Sequence, residues 1–460
     1  MKAVGSYSSF QQYRAPLSEQ DVYYEGLDRN PVIVIHGIFG AKLADKETGE
    51  VVWGEFQAGK VFPPEFLRKM AHPMGYGKPL NTLQSPLEVS GLMDKADISI
   101  FGVNMQMQAY GALLETLETL GYRLEPKPYP PGRYPTLFVF AYDWRRDIVE
   151  NAQRLADFIA EKRTLLQVAY ERDYGVENYD VQFDIVAHSM GGLIARYYLM
   201  YGDADLPTEK EPLNVTWRGA ENVDKVILVG TPNDGYIDTC IELVNGLALS
   251  AGYPRLPGTL LGTFPSYYQM MPPLEKKAMF YKDAPTEGFV DYTSAETFLK
   301  HQWSLVAAEN DPLLEILMPD TETQIEREIL AFDHLKKCLK RAREFRRAMD
   351  VTVELPDGIE CSIFFGAAVP TSASAAVDRG TGKVQVGEYR LGDGKVLAES
   401  VLADQRNEEN WSYFADPHWD WRNVITVNAA HMGLVNNAAF VGNLGYILLS
   451  QKMKNEDGNK

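Results

Sequence analysis

Cysteine is scarce in this chain of 460 residues: Cys240, Cys338 and Cys361 are the only three. An odd number at wide spacing excludes a disulfide framework and a CxxC metal site, and it suits a reducing compartment. Positive charge is short as well, with 45 Lys plus Arg against 63 Asp plus Glu and a net charge of −18. A polyanion would be repelled overall, so nucleic acid is not an expected partner. Long apolar runs are missing, since Val226–Val229 and Leu434–Leu449 are too short or too interrupted by Asn and Gly to span a bilayer. Met1 to Leu27 is polar and rich in Tyr and Ser, without the apolar centre of a secretory leader. These absences lead us to expect a cytoplasmic protein. With 45% hydrophobic and 23% charged residues, the chain has globular proportions.

Short β-rich runs recur at Val32–Ile35, Leu137–Ala141, Gln182–Val186, Val226–Val229, Ser362–Phe365 and Val424–Val427. Continuous apolar runs of this length suit strands covered on both faces. Amphipathic stretches such as Ala109–Leu120 and Ile148–Val168 lie between some of them, so the alternation predicts a mostly parallel central sheet flanked by helices. Gly, polar and ionisable residues follow the strands, where open α/β sheets bind ligands. Two stretches break the rhythm, at about 41–104 and about 236–349. The expected organisation is a core block at 1–235, including the 41–104 excursion, a cap or lid insertion at 236–349, and a second core block at 350–460.

Ala187-His188-Ser189-Met190-Gly191 follows a strand and precedes the helical run Gly192–Met200. This is the strand–turn–helix context of a nucleophile elbow, in which the positions two before and two after the serine must be small. A serine hydroxyl needs a base, and the base needs an orienting acid. In the order serine, acid, histidine, the candidates beyond Ser189 are His301, His334, His418 and His431. His431 sits in a small-residue loop after a strand, whereas His301 and His334 fall in the cap. His418 lies in Asp416-Pro417-His418-Trp419-Asp420, which could also hold a metal. For the acid, Asp393 in a Gly-Asp-Gly turn competes with Asp378 and Asp404. The backbone N–H of Met190 and that of Ile38, in His36-Gly37-Ile38-Phe39-Gly40, are candidate oxyanion donors.

These positions, together with Val51-Val52-Trp53, Tyr142-Asp143-Trp144-Arg145, Gly230-Thr231-Pro232 and Gly392-Asp393-Gly394, resemble the lecithin:cholesterol acyltransferase family from about Pro31 to Leu449. The resemblance implies an α/β-hydrolase fold with an inserted cap. It also implies a Ser189, Asp393, His431 triad, oxyanion donors at Ile38 and Met190, and Trp53 as an acyl contact. The implied activity is hydrolysis or O-acyl transfer on a lipid acyl ester through an acyl-serine, with no cofactor and no metal. The alternatives are a non-lipid serine esterase or peptidase, or a non-catalytic lipid-binding relative. His36 stands where the family has Pro, Ala187 where it has Gly, and Lys395 where it has Thr.

Within the cap, Ile325, Ile329, Phe332, Leu335, Leu339, Ala342, Phe345 and Met349 recur every three or four residues, as on one helix face. The other face is basic, with a charge of +6 over Leu335 to Arg347. A cap helix packed by its stripe and solvated on its charged face is the favoured reading. A transient membrane contact through the basic helix 325–349 is the other. The oligomeric state has no sequence signature.

Overall fold

The computed structural model describes residues 27–449 except 28, 55–61, 94–100, 128, 130–131, 209, 250–253, 308, 310, 407–418 and 420. Six strands form one sheet: β1 (Val32–Ile35), β2 (Leu137–Phe140), β3 (Phe183–His188), β4 (Val223–Val229), β5 (Glu360–Phe365) and β6 (Asn423–Thr426). Their order is β6-β5-β4-β3-β1-β2, and every pairing is parallel. Side chains of a strand alternate between faces, and β1 accordingly feeds two cores. Ile33 and Ile35 pack with Leu155 of the helix Ile148–Tyr174 and Leu193 of the helix Met190–Tyr201. Val32 and Val34 pack on the opposite face with Leu113 of the helix Phe101–Thr119 and Phe440 of the helix Ala438–Leu449. The result is a helix–sheet–helix sandwich.

The chain runs from β1 outward to β2 and then returns across β1 to β3. The helix after β1 therefore lies on one face and the helix after β3 on the other, so the turns leaving these neighbouring strands diverge. A crevice opens at such a reversal of strand order. Its two rims are the turns beginning at His36 and Ser189.

Among the described residues, three smaller sheets lie outside this core sheet. Ala41–Asp45 pairs antiparallel with Val51–Trp53 and with Leu87–Leu92, and Leu247–Ala248 pairs with Arg255–Leu256. In the third, Met279–Tyr281 joins Ala284–Phe289 on one side and Val369–Val377 on the other, and Val377 leads back through Val384–Gly392. This sheet joins residues on both sides of position 349. The Ser/Ala run Thr371–Ala376 is a strand within it, and its small side chains let Ala375 and Ala376 pack without exposure.

The helix Gln324–Met349 begins at Thr323, whose hydroxyl accepts from the amide of Glu326. Its stripe is buried from Leu335 onward, whereas Ile325 and Ile329 are exposed. The basic face departs from the solvated surface expected of it. Lys337 donates to the carbonyls of Gly75 and Lys78, Arg341 binds Asp147 and Asp205, and Arg346 binds Asp350 and the carbonyl of Asn233. Arg347 reaches the carbonyls of Thr208 and Glu211. Guanidinium and ammonium groups with several donors can clamp carbonyls of neighbouring loops, and here they tie the helix to the core. Lys336, Lys340 and Arg343 are the cations of this stretch that remain exposed. Among the described residues, no helix is long and apolar enough to cross a membrane.

Candidate active site

Ser189 stands between β3 and the helix Met190–Tyr201 with φ 54° and ψ −128°. A non-glycine residue with positive φ is strained, by about 1–3 kcal/mol, and survives only where its surroundings dictate it. Here the Ser189 amide donates to the carbonyl of Val229 at 2.8 Å. A Cβ at Gly191 would lie 2.4 Å from the carbonyl oxygen of His36, and one at Gly192 would lie 1.9 Å from Thr231 Oγ1. These two glycines let the helix press against β1 and β4. Ala187 lies in the strand before the turn and is fully buried, so its methyl is accommodated where the family has Gly.

Ser189 Oγ–H donates to His431 Nε2 at 2.9 Å, and His431 Nδ1–H donates to Asp393 Oδ2 at 2.7 Å. Asp393 Oδ1 accepts from the amides of Lys395 at 2.9 Å and Val396 at 2.7 Å. Burial pushes the Asp393 carboxyl up, but the neighbouring His431 and those amides outweigh it and hold it below the usual carboxylate range. The amide of His431 donates to the carbonyl of Asp393 at 2.8 Å, so the two loops are also joined through their backbones. A Cβ at Gly366 would lie 2.7 Å from Asp393 Cβ, which explains the small residue after β5.

The turn after β1 approaches from the opposite rim. A Cβ at Gly37 would lie 2.8 Å from Ser189 Cβ. The amide of Gly37 is already engaged by Tyr110 Oη at 2.7 Å, and Ile38 supplies the next amide along the turn. Met190 opens its helix, and first-turn amides have no acceptor within a helix. His36 Nδ1–H donates to the carbonyl of Gly37 at 2.7 Å, while Nε2 accepts from the amide of Tyr142 at 3.2 Å. Its ring stacks on Tyr142 at 4.1 Å. Burial pushes this imidazole down to about 4, so it remains a neutral brace.

Trp53 is completely buried against Phe39 and Trp144, and its indole N–H donates to the carbonyl of Phe39 at 3.2 Å. In this structure it supports the turn from beneath. The Tyr-Asp-Trp-Arg motif is likewise scaffold. Arg145 grips Asp143 through two bonds of 2.9 and 2.7 Å and reaches the carbonyl of Met70, and Trp144 Nε1–H donates to the carbonyl of Ala41. Lys395 pairs with Glu242 at 3.2 Å and Asp238 at 3.7 Å, which gives the departure from Thr its partners.

The competing candidates are engaged elsewhere. Asp378 accepts from Gly380 and Thr381 in a turn, and Asp404 pairs with Arg406. His301 bonds Tyr281 at 2.9 Å, and His334 bonds the carbonyl of Thr263 at 3.0 Å. Asp416, His418 and Asp420 lie outside the described residues. Among the described residues no group of three His, Cys, Asp or Glu side chains could hold a metal ion.

Sequence reasoning missed two residues at the site. His188 precedes the serine, outside the serine–acid–histidine order in which a base is expected. Tyr110, on a helix distant in sequence, gives no local signal. His188 Nε2–H donates to the carbonyl of His431 at 3.2 Å, and its Nδ1 accepts from Tyr110 Oη–H at 2.8 Å.

The sandwich, the reversal of strand order and the serine turn at the carboxyl end of β3 define an α/β-hydrolase fold. Sequence comparison adds the family: residues 89–339, more than half of the chain, match lecithin:cholesterol acyltransferase. The chain belongs to that family. No curated protein matches it by sequence. Among solved structures, a chain from the Tle4–Tli4 complex is similar at 14% identity, covering 91% of this chain and 98% of that one, with a TM-score of 0.59. A Bacillus licheniformis lipase, BlEst2 in propeptide form, matches at 12% identity over 95% and 53% of the two chains, with a TM-score of 0.32. EstA from Clostridium botulinum matches at 12% identity over 92% and 88%, with a TM-score of 0.35.

Proposed function

We propose that the protein is a serine-dependent hydrolase or O-acyltransferase of lipid acyl esters. The observation that carries this reading is the unbroken chain from Ser189 through His431 to Asp393, at 2.9 and 2.7 Å. His431 Nε2 takes the hydroxyl proton as Ser189 Oγ attacks the ester carbonyl carbon. The amides of Ile38 and Met190 receive the charge that develops on the carbonyl oxygen. Collapse breaks the ester C–O bond, His431 returns its proton to the departing alkoxide, and the acyl group remains on Ser189. Water or a lipid alcohol then attacks the acyl-serine with His431 again as base, so hydrolysis and transfer differ only in that second nucleophile. Asp393 stays ionised and stabilises the imidazolium. Membership of the acyltransferase family supports a lipid ester as the donor.

The test is turnover of a panel of lipid and short-chain esters, with and without an alcohol acceptor, alongside labelling by a fluorophosphonate. Ser189 should be labelled, and Ser189→Ala should lower kcat by about 10⁶-fold. Ester turnover that survives this substitution, or a wild type that neither labels nor turns over, would overturn the reading. Turnover of polar esters or amides without regard to acyl chain length would replace the lipid substrate by a non-lipid one.

A further inference from the structure

Tyr110 and His188 lie behind the nucleophile, 1% and 2% exposed. The amide of Gly37 donates to Tyr110 Oη, Tyr110 Oη–H donates to His188 Nδ1, and His188 Nε2–H donates to the carbonyl of His431. The direction of this chain is determined at both ends. A backbone amide can only donate and a carbonyl can only accept, so His188 must carry its proton on Nε2 and the tyrosine hydroxyl must point at Nδ1. The chain begins one residue before Ile38 and ends on the backbone of His431. Its middle member is covalently next to Ser189. The two parts of the site that approach the substrate carbonyl from opposite sides are thus tied together behind the nucleophile, independently of the Ser189–His431 bond.

We infer that Tyr110 and His188 are positioning residues, which hold the turn at Gly37–Ile38 and the His431 loop at a set separation through this directional chain. The inference rests on the triad and oxyanion assignment proposed above. Separation matters because both groups act on the same tetrahedral carbon: the amide of Ile38 on its oxygen, the imidazole on the attacking and leaving oxygens. A displacement of about 1 Å at such a centre can lower the rate about 10²-fold. A neutral His188 preserves the chain. Its burial, next to His431, pushes it down to about 3, so it keeps Nδ1 as an acceptor across the working pH range. Removing the tyrosine hydroxyl would leave the Gly37 amide and His188 Nδ1 buried without that partner, and both would relax toward others.

The experiment compares Tyr110→Phe, His188→Gln and the double variant in the full-length protein on a short-chain ester. Rates are referred to active sites titrated with a fluorophosphonate, so misfolded protein does not count. Tyr110→Phe should lower kcat per titrated site roughly 10- to 100-fold with KM unchanged. The double variant should lose no more than the worse single one, because both interrupt the same chain. Wild-type kcat per titrated site in Tyr110→Phe would overturn the inference, as would losses that multiply in the double variant. The triad reading fails separately: it falls if the wild type is not labelled at Ser189, whereas a labelled wild type with an unaffected Tyr110→Phe removes only the positioning role.

Discussion

Buried ionisable side chains gather around both ends of β3 and β4, and the two groups differ in what they do with their charge. At the amino ends, Lys225 lies 2.9 Å from Asp224 and 3.6 Å from Asp184, and Asn30 Nδ2–H donates to both carboxylates. Around the carboxyl ends, Asp393 and His431 form a directional chain with the Ser189 hydroxyl, Tyr110 and His188 form a second that ends on the carbonyl of His431, and His36 bonds Gly37 and Tyr142. In the first group opposite charges close on one another. In the second, His36 and His188 are kept neutral, and His431 links the Asp393 carboxylate to the Ser189 hydroxyl. Burial alone therefore does not separate the two groups. What separates them is an ordered chain that ends on a hydroxyl.

Four substitutions break or sharpen that contrast. The largest effect is expected at Asp393→Asn. The amide side chain selects the wrong tautomer of His431, so kcat should fall by about 10⁴-fold while fluorophosphonate-free substrate binding holds. Steady-state kinetics on a short-chain ester gives both numbers. Lys225→Met leaves two buried carboxylates without their cation and should lower unfolding free energy by about 3–5 kcal/mol in a urea titration. Its kcat per folded molecule should not change; a parallel loss of kcat would show that the two ends are coupled.

The pH response should differ in sign between the ends. Burial pushes Asp184 up to about 6, with Lys225 opposing and Asp224 adding. The folded state then holds this proton more tightly than the unfolded chain. Its stabilisation is complete below the usual carboxylate range and is lost as pH rises through about 6. Asp393 is held below that range, so its stabilisation is present at neutral pH and is lost on acidification. Denaturation curves across this range should show the first change removed by Asp184→Asn and the second by Asp393→Asn. The smallest effect is expected at Lys395→Thr. Its side chain is 45% exposed, so stability should move by no more than about 1 kcal/mol. The backbone amide that holds Asp393 is retained, and kcat should stay within a few-fold.

Five of the six central strands were legible because they are largely buried and so read as apolar runs, whereas Asn423–Thr426, in which only Ile425 is buried, was legible from its β-branched residues. The sheet containing Val369–Val377 was not. Its strands are short or half-exposed, and Ser and Ala supply packing through small volume rather than hydrophobicity. Ser189 and His431 were legible from turn chemistry and chain order, while Asp393 needed the family resemblance to separate it from Asp378 and Asp404. The packing of Trp53 on Phe39 and Trp144 was not legible, because its motif records proximity to the turn and not which way the indole faces. The Tyr110–His188 chain left no pattern, since hydrogen bonds between residues 78 apart in sequence have no period. The sign of the helix Gln324–Met349 was legible, but the direction of its charges was not.

That inward direction shapes how the molecule meets a charged surface. Guanidinium groups clamped on loop carbonyls are withheld from external phosphates, and the net charge of the chain is −18. The long-range field around the protein then opposes approach to an anionic bilayer, and it weakens as salt shortens the screening length. Encounter with a zwitterionic or uncharged lipid phase meets no such barrier, so, on the function proposed above, the composition of the lipid surface sets how often Ser189 meets an ester before any chemistry.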